Sequence, residues 1–310
     1  MKRRDALLLA AIAALRPARG LAASVPAQPF PMAEVAPGLH VRQGVHEEAT
    51  PENQDGIANI GFVVGQEAVA VLDPGGSRAD GERLCASIRE RTALPIRYVV
   101  MTHLHPDHVF GAVAFAEDRP VFVGHARMAA MLVQRGEFYR NGLADALGIE
   151  EAGDYAKPDL LVSDTAAIDL GGRRLRLQAH PTAHTDNDLS ILDEGTGTLW
   201  LGDLLFVDRV PALDGSILGW LAETKALRSA PATRAVPGHG PAVVDWPGAA
   251  AAQERYLGGL AHDIRGIIAH GGDIEQAVAT VGQAERGRWA LFDDYNGRNV
   301  TAAFKELEWE

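Results

Sequence analysis

The residues best equipped for chemistry crowd into one stretch, Thr102-His103-Leu104-His105-Pro106-Asp107-His108. In extended chain, alternate side chains point the same way, so His103 and His105 can reach one ion. Pro106 redirects the chain, and adjacent Asp107 and His108 can turn toward a second ion. Imidazole nitrogen with carboxylate oxygen suits Zn²⁺, and iron and manganese accept the same donors. A structural zinc site would favour cysteine and close all four positions, whereas Cys85 is the only cysteine in the chain. A plain polar surface loop is the rival reading, and four donors in a single loop weigh against it.

Three later stretches offer further donors. Ala179-His180-Pro181-Thr182-Ala183-His184-Thr185-Asp186 follows the alternating run Arg173 to Gln178. Leu199 to Phe206 contains a short apolar strand ending in Gly202-Asp203, and Val236-Pro237-Gly238-His239-Gly240-Pro241 sets a histidine in a glycine turn. Each places a His or Asp just past an expected strand, where several strand ends can converge on one rim. Rigid strand ends are what a metal site needs.

The order His-x-His-x-Asp-His, then His, Gly-Asp and Gly-His-Gly, resembles the metallo-β-lactamase-fold hydrolase superfamily across most of the chain. Carried over residue by residue, the resemblance implies that His103, His105 and His184 hold a first metal. Asp107, His108 and His239 would hold a second, and Asp203 would bridge the two. Asp73, at the end of an expected strand, resembles the aspartate that orients a ligand loop from behind; a turn-forming Asp before Pro74 is the alternative. Gly44 to Thr50, Ile57 to Gly65, Ala183-His184-Thr185-Asp186-Asn187-Asp188 and Leu307-Glu308-Trp309-Glu310 are similar to the quinoprotein relay system zinc metallohydrolases, a group associated with periplasmic quinoprotein dehydrogenases.

The elements around these donors read as mixed α/β. Strands are expected at Leu39 to Gln43, Ile57 to Gly65, Ala68 to Leu72, Ile96 to Met101 and Val121 to Gly124. Further strands fit Ala166 to Leu170, Arg173 to Gln178, Asp188 to Leu192 and Thr198 to Leu201, with Gly171-Gly172 and Gly195-Thr196-Gly197 as hairpin turns. Helices are expected at Ala79 to Arg91, Val109 to Phe115, His125 to Leu147, Ser216 to Arg228, Ala249 to His270 and a last stretch carrying Val300, Phe304 and Leu307, with Trp309 docked on the body. Ser24 to Pro37 reads as an extended proline-rich lead-in. His46-Glu47-Glu48 belongs to a polar loop that could overhang the site, His46 itself fitting a solvated loop histidine best. Val207 to Gly215 is irregular, and Arg209 or Asp214 there could touch substrate. Met128 and Met131 fit a core or a pocket cover. The resemblance sharpens this pattern into a four-layer αβ/βα sandwich with the metal pair on one edge, formed by a single domain over 24–310.

Composition bounds the partners. The chain has 310 residues, 47% of them hydrophobic, and a formal net charge of −12. An acidic surface repels phosphate backbones, which argues against nucleic acid, while two cations in the site would still admit a small anionic substrate. Beyond the N-terminus there is no apolar run long enough to span a membrane. The expected reaction is hydrolysis by a hydroxide bridging two Zn²⁺, with an ester, lactone or thioester as substrate and Asp107 able to relay a proton. An iron-dependent oxidoreductase of the same fold, acting on persulfides or oxygen, is the alternative. A β-lactamase is a weaker one.

Residues 1–23 read as an export signal: Lys2-Arg3-Arg4, then the apolar Ala6 to Leu15, then small residues at Gly20 to Ala23. Residues of this kind send a protein to the periplasm, and the Arg pair fits the twin-arginine route for folded cargo. A fused reporter is therefore expected outside the cytoplasm. Changing Arg3 and Arg4 together to Lys should reduce its export, and undiminished export of the double variant would dismiss the twin-arginine route.

Overall fold

The structure is a computed structural model and describes residues 27–148 and 152–310. The export segment expected over 1–23 lies outside the described residues. Seven strands form the first sheet in simple chain order: β1 (Ala33–Ala36), β2 (Leu39–Arg42), β3 (Ile60–Val64), β4 (Val69–Leu72), β5 (Ile96–Val100), β6 (Val121–His125) and β7 (Leu160–Val162). The second sheet has the order β13-β12-β11-β10-β9-β8, from β8 (Thr165–Asp169), β9 (Arg174–Ala179), β10 (Leu189–Asp193), β11 (Thr198–Phe206), β12 (Arg234–His239) and β13 (Val244–Asp245). Helices α1 (Arg78–Arg91), α2 (Pro106–Val109) and α3 (Met128–Leu147) accompany the first sheet, and α4 (Ile217–Leu227), α5 (Ala250–Ala269), α6 (Ile274–Thr280) and α7 (Phe292–Leu307) the second. Strands β4 through β7 run parallel to one another, as do β11 and β12; the other pairs are antiparallel.

The apolar patterning explains the layering. A strand buried on both faces reads as a near-continuous apolar run, because alternate side chains feed different cores. In β4, Ala70 and Leu72 point inward and Val69 and Val71 outward. The inward set meets Val63, Val100 and Val123 of the first sheet and Leu175, Leu177, Ile191 and Trp200 of the second. The outward set packs under α1 through Leu84 and Ile88. On the far side, Leu199, Leu201 and Phe206 of β11 pack with Trp220 of α4, Tyr256 and Leu260 of α5 and Val300 and Phe304 of α7. These three cores separate four layers, helix, sheet, sheet and helix, as expected. A smaller core of Met101, Leu104, Met128 and Leu132 seats α3 beside the ligand loop, which bears out Met128 as a core residue.

Several local expectations change. The lead-in contains β1, an edge strand pairing with β2 despite its proline-rich flanks. Strand β11 does not end at Gly202-Asp203; it continues to Phe206, so Asp203 lies within it. His125 closes β6, and its Nδ1 accepts the Arg127 N–H at 3.0 Å, delaying α3 to Met128. Trp309 does not dock: it is 85% exposed, because α7 closes its apolar face at Leu307. Short β7, β13 and α6 carry too little periodicity to stand out in the sequence. No helix among the described residues is long and apolar enough to cross a membrane.

The core between the sheets should contribute far more to stability than the exposed C-terminal tryptophan. Leu177→Ala, fully buried there, is expected to cost about 2–5 kcal/mol, whereas Trp309→Ala should stay within about 0.5 kcal/mol. Urea denaturation midpoints measure both.

Candidate metal centre

All seven side chains chosen from the sequence meet at one edge of the sandwich. Their donor atoms form two groups, each within 4.8 Å: His103, His105, His184 and Asp203, and then Asp107, His108 and His239. His103 and His105 leave the end of β5, while Asp107 and His108 form the first turns of α2. His184 lies between β9 and β10, Asp203 in β11, and His239 at the end of β12. The two sheets thus each supply part of the site.

Asp203 is placed between the groups. Its Oδ2 lies 3.3 Å from His184 Nε2 and 3.6 Å from His103 Nε2. Its Oδ1 lies 3.0 Å from His108 Nε2 and 3.4 Å from His239 Nε2. The backbone had to bend to bring it there. The β11–β12 register shifts on both sides of Gly202, whose φ of 50° suits glycine. A Cβ at Gly202 would also sit 2.6 Å from Thr102 Oγ1, and one at Gly238 only 1.9 Å from Asp203 Oδ1. Those clashes give the Gly-Asp and Gly-His pairs a steric origin.

Each histidine is held from behind through one ring nitrogen. Carbonyls and carboxylates only accept, so the partner fixes the tautomer. His184 Nδ1 donates to the Ala212 carbonyl at 2.7 Å, and His239 Nδ1 to that of Ile57 at 3.0 Å. Arg209 Nη1, 3.2 Å from His239 Nδ1, is then a neighbour rather than a donor to it. His108 Nδ1 donates to Asp73 Oδ2 at 3.0 Å, and His105 Nε2 to Asp214 Oδ2 at 3.2 Å. Thr102 Oγ1 donates to Asp73 Oδ2 at 3.0 Å and accepts from His103 Nδ1 at 3.0 Å. Five ring nitrogens are thereby turned inward, and His105 Nδ1 and His184 Nε2 stand 3.0 Å apart.

This donor set fits cations. Among the described residues, His103 Nε2, His108 Nε2 and Asp203 Oδ1 are buried without an aligned hydrogen-bond partner, which is costly for polar atoms. Facing lone pairs and carboxylates repel one another, and a positive ion between them removes the repulsion. The electrostatics agree. Burial holds the His184 imidazole down to about 3 and, with the His108 charge next, keeps His103 well below its ordinary value. Burial also opposes charge on His108 and on Asp203, but their mutual proximity outweighs it. Asp203, Asp107 and Asp73 raise His108 well above its usual range, and His239, His108 and His103 hold the Asp203 carboxyl well below its own.

Asp73 is the orienting residue that the resemblance implied. It adopts φ 55° at the end of β4, and its carboxylate gathers Thr102 N at 2.8 Å, Thr102 Oγ1, His108 Nδ1 and Trp200 Nε1 at 3.3 Å. Asp214 proves to be a partner of His105, fastened in turn to Arg135 of α3. Arg209 is buried beside His239 and contacts Tyr295 Oη at 3.2 Å. His46 is half-buried with its Nε2 sheltered and unpartnered, so it is no solvated loop histidine; burial, then His239 and Arg209, lower its pKa. Sequence reasoning missed Asn59. It accepts the Gly44 N–H at 2.9 Å and donates to the Pro237 carbonyl at 2.9 Å, steadying the turn before His239. A polar residue inside an apolar strand run was its one available signal. His180 faces away from the centre. It links Ser190 Oγ at 2.8 Å to Glu223 Oε2 at 2.9 Å beside a separate cavity of about 310 Å³, which none of the seven donors lines.

Comparisons with known proteins agree with this geometry. A metallo-beta-lactamase from Pontibacter korlensis superposes with a TM-score of 0.59 at 18% identity, covering 73% of this chain and 98% of its own. A metallo-beta-lactamase family protein from Thermus thermophilus gives a TM-score of 0.59 at 19% identity, covering 75% and 83%. At these identities the likeness is one of fold. A linear primary-alkylsulfatase of Pseudomonas sp. (strain ATCC 19151) is 34% identical over 64 residues, 21% of this chain, and the match takes in 12% of that protein's length. Residues 53–239, most of the chain, match the family model for the metallo-beta-lactamase superfamily, and to that superfamily the chain belongs.

Proposed function

We propose that the chain is a dinuclear zinc hydrolase that cleaves an ester, lactone, thioester or similar small substrate. The carrying observation is the division of the Asp203 carboxylate between two clusters of imidazole nitrogens, Oδ2 toward one and Oδ1 toward the other. His103, His105 and His184 would hold the first zinc, Asp107, His108 and His239 the second, and Asp203 both. When bound, such a pair lowers the pKa of water toward neutrality and polarises a substrate oxygen.

The chain's own residues do the rest. Asp73, Asp214 and the Ala212 and Ile57 carbonyls keep the imidazoles in one tautomer and one orientation, so no reorganisation is needed during reaction. Asp107 borders the adjoining cleft, and its carboxyl is held low, burial being outweighed by His108 and His239. It can take the proton of the attacking water and return it to the leaving oxygen or sulfur. Water adds across the scissile bond, giving an acid and an alcohol or thiol. The alkylsulfatase match supports a second reading, a sulfate ester in place of the carboxylic one.

The N-terminal pattern and the quinoprotein relay resemblance support a periplasmic setting beside a quinone-dependent dehydrogenase. Deleting the gene should then impair growth on an alcohol or amine that needs such an enzyme. Normal growth together with normal dehydrogenase activity would count against the partnership.

Metal analysis tests the centre. Protein purified without added metal should contain zinc; iron accompanied by oxygen uptake would favour the oxidoreductase alternative. Chelation should abolish hydrolysis and zinc should restore it. Asp203→Asn should bind fewer ions and lose most activity with an unchanged far-UV circular dichroism spectrum. Full activity with two tightly held ions would remove Asp203 as the bridge. Asp214→Asn, acting through His105, should lower zinc affinity by about 10- to 100-fold, measured by competition with a chelator.

A further inference from the structure

A cleft of about 250 Å³ opens beside the metal centre, with Asp107 in its lining. Helix α3 forms one wall, where Phe138, Tyr139, Leu143 and Ala146 line the space, and Ala49 and Ile57 complete the apolar surface. Positions 138, 139, 142, 143 and 146 recur at helical spacing, so they share one face of α3. The reacting end of the cleft is defined: the Tyr139 ring stands 6.1 Å from that of His105, and Asp107 Oδ2 lies 3.2 Å from His239 Nε2.

Two features of α3 bear on this space. Phe138 is 75% exposed, a large apolar surface left beside the centre. Gly142, also in the lining, is a poor helix residue, yet a Cβ built there meets nothing within 4 Å. Its bareness relieves no clash and keeps the cleft open. The ionisable side chains in the lining, Glu48, Asp55 and Asp107, are all acidic. None of the lining residues is basic, so an anionic tail would find no partner along α3.

We propose that this cleft receives an uncharged acyl or alkyl chain, so that the substrate is an amphiphile whose scissile group sits at the metals and whose apolar tail lies along α3. The proposal rests on the hydrolytic reading for the identity of the scissile bond and on the α3 face for the tail.

The test uses the zinc-loaded full chain with p-nitrophenyl acetate, butyrate, hexanoate and octanoate, and calorimetric binding of acetate and octanoate as product analogues. kcat/KM should climb roughly fourfold for each methylene that the cleft buries, and octanoate should bind more tightly than acetate. Gly142→Leu, which fills the cleft, should cut the octanoate-to-acetate ratio about tenfold or more, and Phe138→Ala should cut it less. Val133→Ala, equally exposed on α3 but outside the lining, should keep the wild-type ratio. Turnover and binding that ignore chain length, or a Gly142→Leu variant with the wild-type ratios, would overturn the tail site and leave the hydrolase reading intact. Absent ester turnover with chain-length-dependent binding that Gly142→Leu removes would leave the tail site standing and overturn the ester reading.

Discussion

Electrostatic convergence at Asp203 is the constraint on which the rest of this molecule depends. A buried carboxylate among inward-facing imidazoles is unfavourable unless every group has a fixed partner or shares a cation. The fold supplies the partners one by one: a carbonyl for His184, another for His239, carboxylates for His105 and His108, and a hydroxyl for His103. Freedom to rotate would let these side chains escape into hydrogen bonds with one another. Locking the outer nitrogen of each ring prevents that and leaves the inner ones pointing at common positions.

Precision of this kind needs a stiff frame, and the donors sit at the edge of the core between the sheets. Trp200 fills the space between the sheets, and its Nε1 reaches Asp73, the residue that also holds Thr102 and His108. One side chain thus connects packing between the sheets to the orientation of the ligand loop. The αL conformation of Asp73 is strained for a non-glycine residue. Four hydrogen bonds to its carboxylate hold it there, and relaxing the backbone would disconnect β4 from the loop after β5.

Much of this was legible in the sequence, for physical reasons. Donor residues at strand ends are readable because chemistry restricts residue type and apolar runs mark the strands. All seven donors chosen that way converge. Strands buried on both faces announce themselves as apolar runs, so the principal sheet elements were readable too. What stayed hidden depended on contacts between distant segments. Nothing near Asp214 shows that it will meet His105, 109 residues away, and nothing near Asn59 shows that it will brace a turn 178 residues on. The course of β11 was hidden for a related reason. Gly202 reads as a strand terminator, but here its positive φ creates an irregularity within a continuing strand, and Thr102 from the loop after β5 makes glycine necessary. Trp309 shows the opposite error: a large apolar residue need not be buried when its helix has already closed its face.

The path from Asp214 joins the cleft to the ligand set. Asp214 accepts from His105 and pairs with Arg135, one helical turn before Tyr139, whose ring approaches the same histidine. Helix α3 therefore serves as an apolar wall through one face and as an anchor for His105 through Arg135. Its own footing is a small core of Met128, Leu132, Leu143 and Leu147, separate from the core between the sheets. An element seated on a small core can shift at less cost than a central strand. Displacement of α3 would alter the cleft and the Asp214–His105 contact together, because Arg135 and Tyr139 move as parts of one helix. The shape of the cleft and the orientation of His105 thus depend on the same helix, whereas His184 and His239 are held by main-chain carbonyls of other segments.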